Sequence, residues 1–125
     1  MNGAFNGEGT FTWSNGDVYT GSFVNGLKDG YGEISWTDGS SYKGMFSADL
    51  LNGTGTYVFA NGDVYEGEFV NDHRTGTGTY TWAENRDTYT GQFVDSQITG
   101  HGVYKWSSGR TYEGEFENGV IVVTE

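Results

Sequence analysis

The stretch Tyr65-Glu-Gly-Glu-Phe69 decides the fold, because its pattern, Tyr-x-Gly-x-Phe, recurs along the chain at a nearly constant spacing. The other copies begin at Tyr19, Tyr42, Tyr89 and Tyr112, so successive copies lie 23, 23, 24 and 23 residues apart. A fixed period of this size is typical of stacked supersecondary units, which present a long surface and no deep pocket. We predict one domain with a partial repeat at 1–18, full repeats at 19–41, 42–64, 65–88 and 89–111, and a C-terminal half-repeat or cap at 112–125.

The composition predicts a folded, acidic protein. The chain has 22 Gly, no Pro and no Cys, and its 4 Trp, 9 Tyr and 8 Phe are far more aromatics than a disordered chain carries. A chain without cysteines suits a reducing compartment, and neither a signal peptide nor a membrane-spanning apolar run is visible, so a cytoplasmic location is expected. The net charge of −11 argues against binding to nucleic acid or to anionic membranes.

Both halves of each repeat alternate with period two, which indicates β-strands. The first half is the pentapeptide, and the second half is a Gly-x-Gly-x-bulky-x-aromatic segment such as Gly30-Tyr-Gly-Glu-Ile-Ser-Trp36. We therefore predict an all-β fold: an elongated, twisted, single-layer antiparallel meander of stacked β-hairpins with about 11 strands.

The turn at Asp38-Gly39 sets the expected strand register. A two-residue loop would place Trp36 and Tyr42 on opposite faces, whereas a three-residue loop with a glycine bulge pairs Trp36 with Tyr42. We favour the second register because it also sets Ile34 opposite Gly44, so that a bulky side chain faces a glycine.

The same register sets Tyr57 opposite Gly67 and makes the strand glycines slots for the aromatic side chains of the facing strand. The extra residue of the 24-residue period falls in 83–88, where it only lengthens a loop. The connections at the opposite edge, such as 24–29 and 70–75, are expected to be looser loops.

The pattern in Tyr112-Glu-Gly-Glu-Phe-Glu-Asn-Gly119, together with the Gly-x-Gly segments and the Asn-Gly or Asp-Gly turns, resembles the MORN repeat. The resemblance covers nearly the whole chain. It implies a scaffold or binding role, since members occur in cytoskeletal, ciliary and membrane-junction proteins and beside kinase or methyltransferase domains. Phosphoinositide binding has been attributed to some members, but the basic residues expected of a lipid-binding member are missing here.

No group of residues predicts catalysis, a metal site or a cofactor, so we expect a protein that is not an enzyme. Catalysis by His73 or His101 would need a nucleophile and an orienting acid beside the histidine, and no repeat offers them. The acidic rows repeat with the motif on a flat face without a pocket, and the turn aspartates are isolated from one another. The acidic rows are Glu66, Glu68, Glu113, Glu115 and Glu117, and the turn aspartates are Asp17, Asp38, Asp63 and Asp87.

The aromatic face is the predicted binding surface, because a single-layer sheet has no second layer to cover it and exposed apolar patches mark interaction sites. We expect a shallow groove that binds a protein partner as an extended peptide or amphipathic helix. Two alternatives remain open: a phosphoinositide-binding module, and a carbohydrate binder that stacks sugars on Trp36, Trp82 and Trp106. The candidate partner-binding residues are Trp13, Trp36, Tyr42, Phe59, Trp82 and Trp106.

The C-terminal stretch Val120, Ile121, Val122 and Val123 departs from the repeat pattern, since it replaces a Gly-x-Gly strand. We expect it either to cap the sheet by folding over the aromatic face near Trp106, or to pair with its own copy in a homodimer with one continuous sheet. The chain starts inside a repeat and ends just after a strand, which suggests that it is cut from a larger protein.

Overall fold

The computed structural model describes residues 6–122 as one open antiparallel sheet whose 11 strands follow each other in chain order. No helix occurs within these residues. The meander architecture predicted from the repeats is confirmed. The strands are β1 (Gly7–Thr12), β2 (Val18–Val24), β3 (Leu27–Ser35), β4 (Ser41–Ser47), β5 (Leu50–Val58), β6 (Val64–Val70), β7 (His73–Thr81), β8 (Thr88–Val94), β9 (Gln97–Lys105), β10 (Thr111–Glu117) and β11 (Val120–Ile121).

The turn between β3 and β4 is a three-residue loop, as expected, but it lies one residue earlier in the chain. The Trp36 amide donates to the Ser40 carbonyl at 2.9 Å, and the Gly39 amide donates to the Trp36 carbonyl at 3.1 Å. The Asp38 carboxylate accepts the Ser40 amide at 2.9 Å, which tightens the loop around residues 37–39. Trp36 is thus paired with Ser40 and not with Tyr42.

The predicted register is consequently wrong by two residues. Ile34 lies opposite Tyr42, and Gly32 lies opposite Gly44, so glycine faces glycine across the strands. A shift of two residues leaves every side chain on its predicted face, because the side-chain period of a strand is two. The extra residue of the 24-residue repeat 65–88 lies in the loop between β7 and β8, as expected.

The connections at the other edge are tight two-residue turns, which corrects the expectation of looser loops. Both residues of each turn have positive φ, for example 48° at Asn71 and 73° at Asp72. This is the pattern of a type I′ turn, whose twist matches that of the flanking strands. Even Ala48 adopts φ 49° in its turn, against the preference of alanine. Sequence reasoning missed these turns because only two of the five carry the Asn-Gly signal.

The strand glycines do make room for aromatic rings, as predicted. The rings that occupy this space, however, belong to the pentapeptide tyrosines. Tyr65 is 0% exposed, and its ring lies over Gly78. Its hydroxyl donates to the Glu68 carbonyl at 2.8 Å, within its own strand. The predicted occupant of the space beside Gly67, Tyr57, is therefore replaced by Tyr65.

The core of this single layer is a ladder of edge-to-face rings that joins the repeats. Each of the first four pentapeptide tyrosines touches the phenylalanine of its own repeat and that of the next repeat. For Tyr42 the ring centroids lie 5.1 Å from Phe46 and 5.3 Å from Phe69. Such contacts add to the apolar burial that holds neighbouring hairpins together.

Candidate interaction surface

A second, half-buried line of rings lies beside this ladder on the same face, and we call it the aromatic row. Neighbouring ring centroids along it are about 5 Å apart, from 4.6 Å between Tyr57 and Phe59 to 5.6 Å between Phe59 and Tyr80. The rings from Trp36 to Tyr104 pack against the core, and every ring of the row, Trp106 included, is only partly buried. The aromatic row consists of Trp36, Tyr57, Phe59, Tyr80, Trp82, Tyr104 and Trp106.

The structure brings four of the predicted partner-binding residues together in the aromatic row: Trp36, Phe59, Trp82 and Trp106. Trp13 occupies the equivalent place in the partial N-terminal repeat, next to Phe11. Tyr42 must be corrected, because its side chain is 0% exposed and belongs to the core.

Three row members were not predicted as site residues: Tyr57, Tyr80 and Tyr104. Each one stands at the bulky position of a Gly-x-Gly-x-bulky-x-aromatic segment, so the sequence did carry a signal for them.

Two aspartates link the row from one repeat to the next by hydrogen bonds. Asp63 directly follows the loop between β5 and β6, and Asp87 directly follows the loop between β7 and β8. Asp63 accepts the Tyr80 hydroxyl at 2.7 Å and the Ala83 amide at 2.8 Å. Burial opposes ionisation of Asp63, but these hydrogen bonds and one from Asn61 outweigh it and lower the pKa of its carboxyl. Burial and the Asp63 carboxylate raise the pKa of Tyr80. The tyrosine ring is thereby fixed in the row.

Asp87 repeats this arrangement one repeat later. Its carboxylate accepts the Tyr104 hydroxyl at 2.6 Å and the Ser107 amide at 2.9 Å. Burial and the neighbouring Asp87 raise the pKa of Tyr104 to about 12. These turn aspartates therefore orient row tyrosines, a role that sequence reasoning did not assign.

A groove of about 430 Å³ lies between the row and the two-residue turns. Five of the eight side chains that line it are apolar or aromatic, and the other three are two carboxylates and one ammonium group. A partner can thus contact both aromatic and charged groups along this side of the row. The lining residues are Lys28, Ile34, Trp36, Phe46, Asp49, Leu51, Tyr57 and Asp72.

The opposite face is polar and holds the acidic rows. Here His101 contacts Glu113 at 3.1 Å and Glu115 at 3.3 Å, and hydrogen bonds to Glu113 and then Glu115 raise the pKa of the histidine. All three side chains are more than half exposed. His73 is exposed at the start of β7. In residues 6–122 no group of three or more His, Cys, Asp or Glu residues could hold a metal ion.

The stretch from Val120 continues the meander as β11. Ile121 pairs with Phe116, and the Val122 amide donates to the Glu115 carbonyl at 2.9 Å. Residues 120–122 therefore do not fold over the face near Trp106, and Val123 lies outside the described residues. Val120 is 66% exposed on this edge strand, and self-association through it remains a prediction.

The MORN repeat pattern matches six segments that cover the chain, namely 1–18, 19–41, 42–64, 65–85, 89–109 and 112–123. The chain belongs to the MORN repeat family. MORN repeats are non-enzymatic modules that generally serve protein interaction or membrane association. A comparison with curated protein sequences gives no match. Nowhere in residues 6–122 is there a helix with the length and apolar character needed to cross a membrane.

Proposed function

We propose that this MORN array is a non-catalytic module that binds a segment of a protein partner along the aromatic row. The observation that carries the proposal is the row itself, a continuous line of half-buried rings over which residues 6–122 lay no second layer. Tryptophan and tyrosine dominate the binding energy of protein interfaces, because they bury a large rigid area at a low cost in entropy.

The spacing of the row suits a regular peptide. Two steps of the row, from Phe59 through Tyr80 to Trp82, span roughly 10 Å and correspond to one repeat. Two turns of an α-helix rise about 10.8 Å, and one turn of a polyproline II segment rises about 9.3 Å. Either conformation can present one apolar side chain to each repeat. We further propose a cytoplasmic location, since a cysteine-free chain suits a reducing compartment.

The proposal is tested by comparing the proteins captured by the wild-type chain with those captured by two variants. Trp82→Ala removes a central ring of the row, whereas Thr90→Ala removes an exposed side chain from the polar face. We expect Trp82→Ala to weaken partner binding by tenfold or more, as truncation of an interface anchor does. Thr90→Ala serves as the control and is expected to bind normally. Partners retained by Trp82→Ala, at an unchanged melting temperature, would count against the proposal.

Membrane binding gives a separate expectation. With a net charge of −11 and its six basic residues spread over four repeats, the chain is expected not to sediment with phosphoinositide-containing vesicles at physiological salt. Vesicles without anionic lipid provide the control. Sedimentation that requires the phosphoinositide and weakens with salt would favour the lipid-binding alternative instead.

A further inference from the structure

We propose that the partner segment is acidic and that one of its carboxylates binds Arg74 in the middle of the aromatic row. This inference rests on the proposed function and names the chemistry of the partner. It follows from the place of Arg74 in the fold, from its incomplete set of hydrogen bonds, and from the absence of a counter-ion for it among residues 6–122.

Arg74 occupies a place that the repeats on either side of it fill with an apolar residue. It pairs with Phe69 in β6, as Leu51 pairs with Phe46 and Ile98 with Phe93. This position faces the aromatic side of the sheet, where Leu51 belongs to the buried core and Ile98 packs against it. A cation therefore lies between two apolar residues beside the row, and Lys28, which pairs with Phe23, is a second cation at this place.

Aromatic rings hold the Arg74 guanidinium in place. Its central carbon lies 5.2 Å from the ring centroid of Phe59 and 5.6 Å from that of Tyr80, and both rings belong to the row. It lies 5.9 Å from the ring of Tyr65 beneath. Cation–π contacts of this kind fix the orientation of the group without neutralising its charge.

The hydrogen bonds of the guanidinium are incomplete. Nη2 donates to the Ser96 carbonyl at 3.1 Å, but Nε is buried and has no acceptor among the described residues. A guanidinium offers five N–H donors and is always charged, so a partly buried one with so few acceptors is costly. A carboxylate that reaches the terminal nitrogens would form charge-assisted hydrogen bonds and offset this cost.

The equivalent cation two repeats earlier, Lys28, forms a salt bridge with a carboxylate of the protein itself. Lys28 Nζ lies 3.4 Å from Asp49 Oδ1, and Asp49 stands in the two-residue turn of the next repeat. At Arg74 this turn position is Ser96, whose hydroxyl accepts the Arg74 amide at 3.2 Å. Although the chain has 17 acidic residues, within residues 6–122 no carboxylate lies within 4.0 Å of Arg74.

The surrounding charge explains why an acidic protein segment is favoured over a densely anionic surface. A net charge of −11 repels nucleic acid and anionic membranes at long range. A single carboxylate flanked by apolar side chains escapes most of this repulsion, because the rings of the row supply the remaining contacts. Arg74 then determines where along the row the segment is anchored.

The test is a selection of 12-residue peptides from a random phage-displayed library on the full-length protein, followed by affinity measurements on synthetic peptides. Two variants remove the proposed interaction in different ways. Arg74→Leu copies the residue that Leu51 supplies one repeat earlier, and Ser96→Asp copies the internal counter-ion Asp49 while keeping the arginine. Lys43→Leu is the control, since it removes an exposed cation from the polar face of the sheet.

We expect the selected peptides to be enriched in Asp or Glu between apolar residues. Arg74→Leu, Ser96→Asp and the corresponding Glu→Gln peptide are each expected to weaken binding tenfold or more, while Lys43→Leu binds like the wild type. Melting temperatures confirm that the variants fold. Peptides without acidic residues, or acidic peptides that bind Arg74→Leu and Ser96→Asp as tightly as the wild type, would overturn the role of Arg74.

In that case the proposed function still stands if Trp82→Ala abolishes binding of the same peptides. Acidic peptides that are lost only with Lys43→Leu would assign the carboxylate to the polar face and likewise overturn the inference. A selection that yields no binding peptide contradicts both the inference and the peptide-binding function.

Discussion

Gly78→Ala is expected to lower the free energy of unfolding by about 3 kcal/mol or more and the melting temperature by roughly 10 °C or more. A Cβ atom at Gly78 would lie 2.5 Å from Tyr65 Cε1 and 2.6 Å from Tyr65 Cζ. The tyrosine ring cannot retreat, because it is fully buried and its hydroxyl is bonded to the Glu68 carbonyl. Thermal unfolding followed by circular dichroism measures the effect.

Gly39→Ala is the matched control for this substitution. A Cβ at Gly39 meets nothing within 4 Å, and only its φ of +96° opposes the change, so we expect a loss of about 1 kcal/mol. Gly67→Val tests the same packing from the facing strand, since a Cβ there would lie 2.5 Å from Gly78 Cα. Equal melting temperatures for Gly78→Ala and the wild type would refute the observed packing of tyrosine on glycine.

Alkaline pH is expected to unfold the protein cooperatively, because the core tyrosines can ionise only when they leave the core. Burial raises the pKa of Tyr19, Tyr42 and Tyr65 to about 12 in each case. The unfolded chain ionises its tyrosines near pH 10. Between these values the folded state binds more protons than the unfolded state, so stability is intact below pH 10 and falls as the pH rises through 12.

The measurement compares tyrosinate absorbance at 295 nm with the β-sheet signal in circular dichroism during a titration from pH 9 to 13. We expect most of the tyrosinate signal to appear together with the loss of the sheet. Tyr65→Phe removes one of these groups and should make the fall of stability with pH shallower. Tyrosinate absorbance that is complete near pH 10 while the sheet stays intact would contradict the burial of these hydroxyls.

The fold class could be read from the sequence because the repeat period and the period-two alternation both act at short range. The register could not, since a shift of two residues leaves all side chains on the same face. The sequence allows Gly32 to face either Phe46 or Gly44. The choice between them depends on which glycines the tyrosine rings pack against, and the residue pattern does not show this. The turn at Ala48-Asp49 was missed because alanine rarely adopts positive φ.

The candidate site was predictable in outline because the period-two alternation also shows which side chains share a face of the sheet. Tryptophans at strand ends were placed correctly on the aromatic face, but Tyr42 is core because its ring lies over the facing glycines Gly44 and Gly55. Arg74 escaped notice, although a cation where other repeats carry Leu51 or Ile98 is a readable signal. Its meaning depends on Ser96, 22 residues away, whose proximity only the sheet register reveals.

The central claim, that the aromatic row is the binding surface, is tested most directly by the indole N–H resonances of the chain's 4 tryptophans. All of them lie on the aromatic face: Trp13, Trp36, Trp82 and Trp106. On titration with a selected peptide, we predict that the indole signals of Trp36, Trp82 and Trp106 shift while the amide signals of the polar-face residues Thr56 and Thr90 stay unchanged. Shifts confined to the polar-face amides, with all indole signals unmoved, would contradict the claim.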